Sequence, residues 1–139
     1  MGSKQILFPL LAMFVLVSLV ATAMIRRRIA FYKQNRVHPQ KTATSIQMAA
    51  VMPDSRAPDN FRNLFELPVM FYVAVIVIYI TGLTSTTYIV LAWAYVIARY
   101  AHSFIHCNSN VVMHRFYAYV ASCTLLSLIW LLLAYQLVA

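Results

Sequence analysis

Four apolar runs, set apart by three polar stretches of unequal length, divide the chain. The first covers about residues 5–25 and carries no charge. At about 1.5 Å per residue it is long enough to cross a bilayer. Arg26, Arg27 and Arg28 end it abruptly, and the helix is expected to run on along the membrane surface through Ile29, Ala30, Phe31 and Tyr32. Further runs cover about residues 60–82, 88–106 and 114–137. Their length and continuity predict four spans in one transmembrane domain over residues 1–139, an all-α integral membrane four-helix bundle.

The polar stretches predict how the spans are joined. Residues 26–59 form a long basic loop, interrupted by Pro39, Pro53 and Pro58, with a short surface helix expected around residues 42–52. Gly82 and residues 84–87 read as one tight turn, and Asn108, Ser109 and Asn110 as another. Connections this short favour antiparallel neighbours. The second run has an amphipathic entry: Asp59, Arg62, Asn63 and Glu66 share a helical face, with Arg62 and Glu66 spaced as an i,i+4 ion pair. Pro68 lacks an amide hydrogen and crowds the preceding turn, so this span is expected to bend or loosen there.

The third run departs from apolar character. Arg99, His102 and His106 lie on one helical face, which Tyr95 extends. A cation within hydrocarbon costs roughly 2.5–3.5 kcal/mol on insertion scales, so its position normally has a cause.

Composition narrows the class. The chain is 63% hydrophobic and only 10% charged, with a formal charge of +8, whereas soluble domains carry about 25% charged residues. A nucleic-acid partner is not expected, because a chain that binds one is basic without being so apolar. Basic residues beside apolar spans fit anionic lipid and a cytoplasmic face. Eight of the 11 lie between Arg26 and Arg62, while Arg99 and Arg115 flank the third connection. The positive-inside rule then puts the first and third connections in the cytoplasm and both termini on the other side. A signal peptide is the rival reading of the first run, with Lys4 as its basic start and Ala21-Thr22-Ala23 as a cleavage site. The immediate Arg cluster and three later spans favour an uncleaved anchor.

With that topology, Arg26 to Arg28, Asn60 to Glu66, Arg99 to His106, and Arg115 with Tyr119 fall at similar depth. Such a basic cleft suits an anionic ligand entering from the cytoplasm. A plainer reading stands beside it. Arg99 can snorkel to phosphate, Glu66 can neutralise Arg99 within the bundle, and the tyrosines can be packing residues. Cys107 and Cys123 have no metal-ligand spacing and read as free packing thiols. His102 and His106 lack an evident third ligand, so no metal is expected.

These same positions resemble the MAPEG family, the membrane-associated proteins of eicosanoid and glutathione metabolism, in a bacterial-type form. Arg56-Ala57, Asn60 and Glu66-x-Pro68 resemble the family's Arg-Ala…Asn…Glu…Pro signature. Arg99-x-x-His102-x-x-x-His106, followed by Arg115 and Tyr119, resembles its Arg-x-x-His-x-x-x-Tyr…Arg…Tyr pattern, with His106 in place of the first Tyr. Asn63 stands where the family's enzymes often have Glu, and the Pro comes one residue later. The resemblance implies a homotrimer in a membrane, here a bacterial inner membrane, with glutathione between subunits at the cytoplasmic side. Arg27 or Arg28, Asn60, Glu66, Arg99, His102 and His106 are its implied ligands. Arg115 is the implied stabiliser of the thiolate, and Tyr119 the implied hydrogen-bond donor. A guanidinium beside a thiol favours the thiolate. The implied activity is a glutathione-dependent transferase or peroxidase acting on hydrophobic electrophiles that enter from the lipid. The alternative is a non-enzymatic protein of the same fold that binds lipid or a protein partner.

Overall fold

The structure is a computed structural model, and it describes residues 3–138. Among these residues the chain is all helix and turn, with no strand. A 3-10 turn at Lys4–Ile6, with the Ser3 hydroxyl accepting from the Gln5 amide, leads into α1, Leu7–Asn35. This helix runs through the Arg cluster and past Tyr32, as its apolar continuation suggests. A second 3-10 turn, Pro39–Thr42, precedes the short surface helix α2, Ser45–Val51. Thr44 and Gln47 form a capping box, each side chain bonding the other's backbone amide, and this fixes where α2 begins.

The second span differs most from expectation. It is two helices, α3 over Arg56–Asn63 and α4 over Leu67–Ile80. Helical structure therefore starts before the apolar run does. Glu66 leaves helical geometry at φ −96° and ψ −101°, and Pro68 sits in the first turn of α4. Because Pro68 has no amide hydrogen to offer Leu64, the helical ladder fails there and the span breaks outright instead of bending. The anticipated Arg62–Glu66 pair is absent, since α3 ends at Asn63 and the i,i+4 relation across positions 62 and 66 is lost.

Gly82, at φ +73°, reverses the chain in the left-handed region that a residue without Cβ enters freely. The Ser85 side chain then caps α5, Thr86–Cys107, so Thr86 and Thr87 belong to the helix and not to the turn. With α6, Val112–Val138, four helical stretches among the described residues are long and apolar enough to cross a membrane, the second of them Arg56–Ile80, α3 and α4 together. The last helix packs along α5, while α1 packs on α3, α4 and α5, and α4 on α6.

The core follows the helical period of α5. Tyr88, Ala92, Tyr95, Val96, Arg99, His102, Ser103 and His106 are its buried positions. Toward the loop of Gly82, this stripe is aromatic and apolar, with Tyr95 stacked on Phe71 at 4.4 Å between centroids. Met13, Leu16 and Val20 of α1 and Leu126, Ile129 and Leu133 of α6 complete that region. Large apolar side chains such as Phe8, Phe14 and Leu131 stay exposed on the outside of the bundle, as expected of surfaces that meet lipid or another subunit.

Candidate functional site

The polar half of the α5 stripe builds the site. Arg99 is wholly buried at 0% exposure, yet no carboxylate pairs with it among the described residues. Its Nη2 donates to the Asn63 side-chain oxygen at 2.7 Å and to the Asn63 carbonyl at 3.1 Å. Glu66, exposed on the far side of the helix break, instead accepts from the Asn63 side-chain amide at 3.3 Å. The amide of Asn63 thus stands between the acid and the cation. Arg99 also lies over the Tyr119 ring, 5.9 Å from its centroid, within reach of a cation–π attraction. Its Nε and Nη1 have no hydrogen-bond partner.

His102 and His106 are next along the stripe, 3% and 7% exposed, with rings 5.5 Å apart. His102 Nδ1 donates to the Arg115 carbonyl at 3.1 Å. That bond assigns the ring proton to Nδ1 and leaves the Nε2 lone pair without a partner. His106 Nδ1 is unpartnered as well. Arg115 comes from the start of α6. Asn110, in the left-handed region at φ +50°, closes the preceding turn through its amide to the Ile105 carbonyl and holds Arg115 Nη1 on its side-chain oxygen at 2.7 Å. One cleft of about 270 Å³ is lined by Asn63, His102, His106, Arg115, Phe116 and Tyr119.

Arg99 is buried behind that lining without reaching the cleft, and Arg27, Arg28 and Arg56 lie elsewhere. Arg27 Nη2 donates to the Cys107 carbonyl at 2.7 Å, and Arg56 Nη1 to the Asn108 carbonyl at 2.7 Å, so both cap the end of α5. Asp54 links the two. It accepts from Arg56 Nε at 2.7 Å and Nη2 at 3.0 Å, and lies 3.8 Å from Arg27 Nη1. The Arg56 hydrogen bonds, with the charges of Arg56 and Arg27 behind them, hold the Asp54 carboxyl below its ordinary range against the opposing effect of partial burial. Arg27 and Arg28 line a different, larger cleft of about 390 Å³ between α1, α2 and α3. The single basic cleft expected from depth alone is therefore two clefts.

Asn60 is buried at 0% exposure. Its amide donates to Cys107 Sγ at 3.3 Å, and its oxygen accepts from Ser103 at 3.3 Å, which ties α3 to α5. Both cysteines are unbridged, and no group of three or more metal-ligating side chains occurs among the described residues. Sequence reasoning gave Asn63 no role in holding Arg99, and gave none to Asp54 or Asn110. Asn63 carried a usable signal, since it sits one turn beyond Asn60 on the same short helix.

Four spans, a basic long loop, and a buried Arg-His-His stripe facing an Arg and a Tyr of the last helix converge on one family. The model of the MAPEG family matches residues 6–135, nearly the whole chain. The chain belongs to the MAPEG family. No match was found among curated proteins. None was found among solved structures either. Arg99, His102, His106, Arg115, Tyr119 and Asn63 stand together in the fold.

Proposed function

We propose that this protein is a glutathione-dependent membrane transferase or peroxidase acting on hydrophobic electrophiles, working as a homotrimer. The observation that carries the reading is the buried Arg99, whose Nε and Nη1 lack partners and which lies behind a cleft lined by Asn63, His102, His106 and Tyr119, with His102 Nε2 and His106 Nδ1 also unpartnered. A buried cation normally finds a counter-charge, and among the described residues Arg99 hydrogen-bonds only the neutral dipoles of Asn63. A glutathione carboxylate meets that need. Arg99, His102 and His106 hold the tripeptide in this reading, with Asn60 supporting them through α5, Glu66 beside Asn63 at the same cleft, and Arg27 reaching it from a neighbouring subunit.

Arg115 stabilises the thiolate, because a guanidinium lowers the free energy of the anion relative to the thiol. Tyr119 donates a hydrogen bond. In transfer, sulfur forms the new carbon–sulfur bond while the leaving group departs with the electron pair of the broken bond. In peroxide reduction, two thiols are oxidised to a disulfide as the oxygen–oxygen bond is reduced to alcohol and water. The basic end of the bundle faces the cytoplasm and both termini face away, by the positive-inside rule, and the membrane is a bacterial inner membrane.

Calorimetry of glutathione on detergent-purified protein tests this reading, with thiolate formation followed by its near-ultraviolet absorbance. Binding by the trimer, with the thiolate signal lost in Arg115→Ala, is the expected result. A folded trimer that binds no thiol tripeptide overturns it. The bond from Arg115 to Asn110 favours a second reading, in which Arg115 only braces the α5–α6 turn and the cleft takes lipid or a protein partner. Under that reading Arg115→Ala leaves function intact, whereas removing the charges of Arg26 to Arg28 abolishes it.

A further inference from the structure

We infer that the larger cleft, between the end of α1, the surface helix α2 and the start of α3, is a binding site for a phospholipid with a primary ammonium in its head, of the phosphatidylethanolamine class. This does not rest on the thiol reading, since the cleft shares no lining residue with the one that holds Arg115 and Tyr119.

Depth is the first argument. The cleft begins at Met24, in the last apolar turn of α1, and extends to Arg27 and Arg28 one turn later. It therefore straddles the change from hydrocarbon to headgroup, where a phospholipid also changes from chain to phosphate. Met48, from the buried face of α2, and Met52 continue the apolar wall, and thioethers adapt to a chain of variable shape. Ile46 lines the cleft while remaining 81% exposed, so an acyl chain lying there would cover apolar surface that the chain itself leaves uncovered.

Charge is the second argument, and it selects the headgroup. Asp54 in the wall is already engaged by Arg56 and lies near Arg27. Arg28, Arg62 and Asp59 also line the cleft, and no ion pair within the described residues involves any of them. Two guanidiniums suit one phosphodiester, which accepts hydrogen bonds from both. The remaining carboxylate of Asp59 suits an ammonium. A phosphatidylglycerol head satisfies the arginines but brings no cation to Asp59. A phosphatidylcholine head brings a cation with no N–H to donate. A fatty acid brings a carboxylate alone.

Native mass spectrometry of the full-length protein tests the inference, in micelles doped equally with phosphatidylethanolamine, phosphatidylglycerol, phosphatidylcholine and oleate. Phosphatidylethanolamine is expected to be retained preferentially, by roughly fivefold, the scale of one partly exposed ion pair. Asp59→Asn should reduce that retention to the phosphatidylglycerol level, and the Arg28→Ala, Arg62→Ala double variant should reduce both phospholipids. A photoactivatable phosphatidylethanolamine on the unaltered protein should crosslink to the segments around Met24, Met48 and Met52, a readout that needs no variant to fold. Equal retention of all four lipids overturns the inference. So does preference for oleate or phosphatidylglycerol, retention that survives the double variant, or crosslinks confined to the outer faces of α4 and α6.

Discussion

Two groups of arginines lie toward the same end of this bundle and are treated in opposite ways. Arg27 and Arg56 each donate to a carbonyl at the end of α5, with Asp54 between them. Arg99, buried more deeply, has only the dipoles of Asn63 and the face of Tyr119. The first group is a fastening: Asp54 balances one of its two positive charges, and it joins α1, α3 and α5. The second has no carboxylate paired with it among the described residues, and two of its guanidinium nitrogens, like Arg27 Nη1, lack a hydrogen-bond partner. Burial without a counter-ion costs stability, so its retention fits a cation kept for a ligand.

The contrast can be broken most sharply at Arg99. Replacing it in Arg99→Met removes two charge-assisted interactions with an anionic ligand, and glutathione binding should fall by about a hundredfold or more. The melting temperature in detergent should hold or rise, because a buried unpaired charge has been exchanged for an apolar side chain of similar reach. A large loss of stability would show that Arg99 is structural instead. Asn63→Ala makes the reverse change, keeping the cation and removing its shortest acceptor. It should destabilise the fold by roughly 2 kcal/mol in equilibrium unfolding.

Asp54→Ala addresses the fastening. The side chain is 33% exposed, so solvent weakens its pairing, and the cost should be about 1 kcal/mol. Glutathione affinity should change far less than in Arg99→Met, since Asp54 lines only the other cleft and meets the site only through Arg27. The smallest effect is in pH. Because the folded-state pKa of Asp54 lies below its unfolded value, its contribution is complete above about pH 4 and is lost as pH falls through the lower folded value. The stability gap between the unaltered protein and Asp54→Asn should therefore be constant near neutrality and close only on acidification. A gap that opened on acidification would contradict the pairing.

Much of the architecture could be read in the order of residues. The apolar runs identify four spans because a bilayer leaves few other ways to satisfy a backbone. The single-face spacing of Arg99, His102 and His106 survives into the structure because α5 is continuous from Thr86 to Cys107. Legibility ends where helical phase is interrupted. Arg62 and Glu66 look like neighbours only on an unbroken helix, and the break at Pro68 puts Asn63, not Glu66, against Arg99. Periodicity also cannot tell how a seven-residue helix such as α2 docks. Residues of α2 share a cleft with Arg27 and Arg28, separate from that of Arg115 and Tyr119.

The interruption of the second span has a consequence for its carbonyls. In an unbroken helix the oxygen of Asn63 would be committed to the amide of Leu67. Here it receives only a 3.4 Å contact from the Glu66 amide and retains a lone pair for Arg99. Proline chemistry at position 68 thus frees a main-chain acceptor five residues upstream, and a repaired ladder would withdraw it.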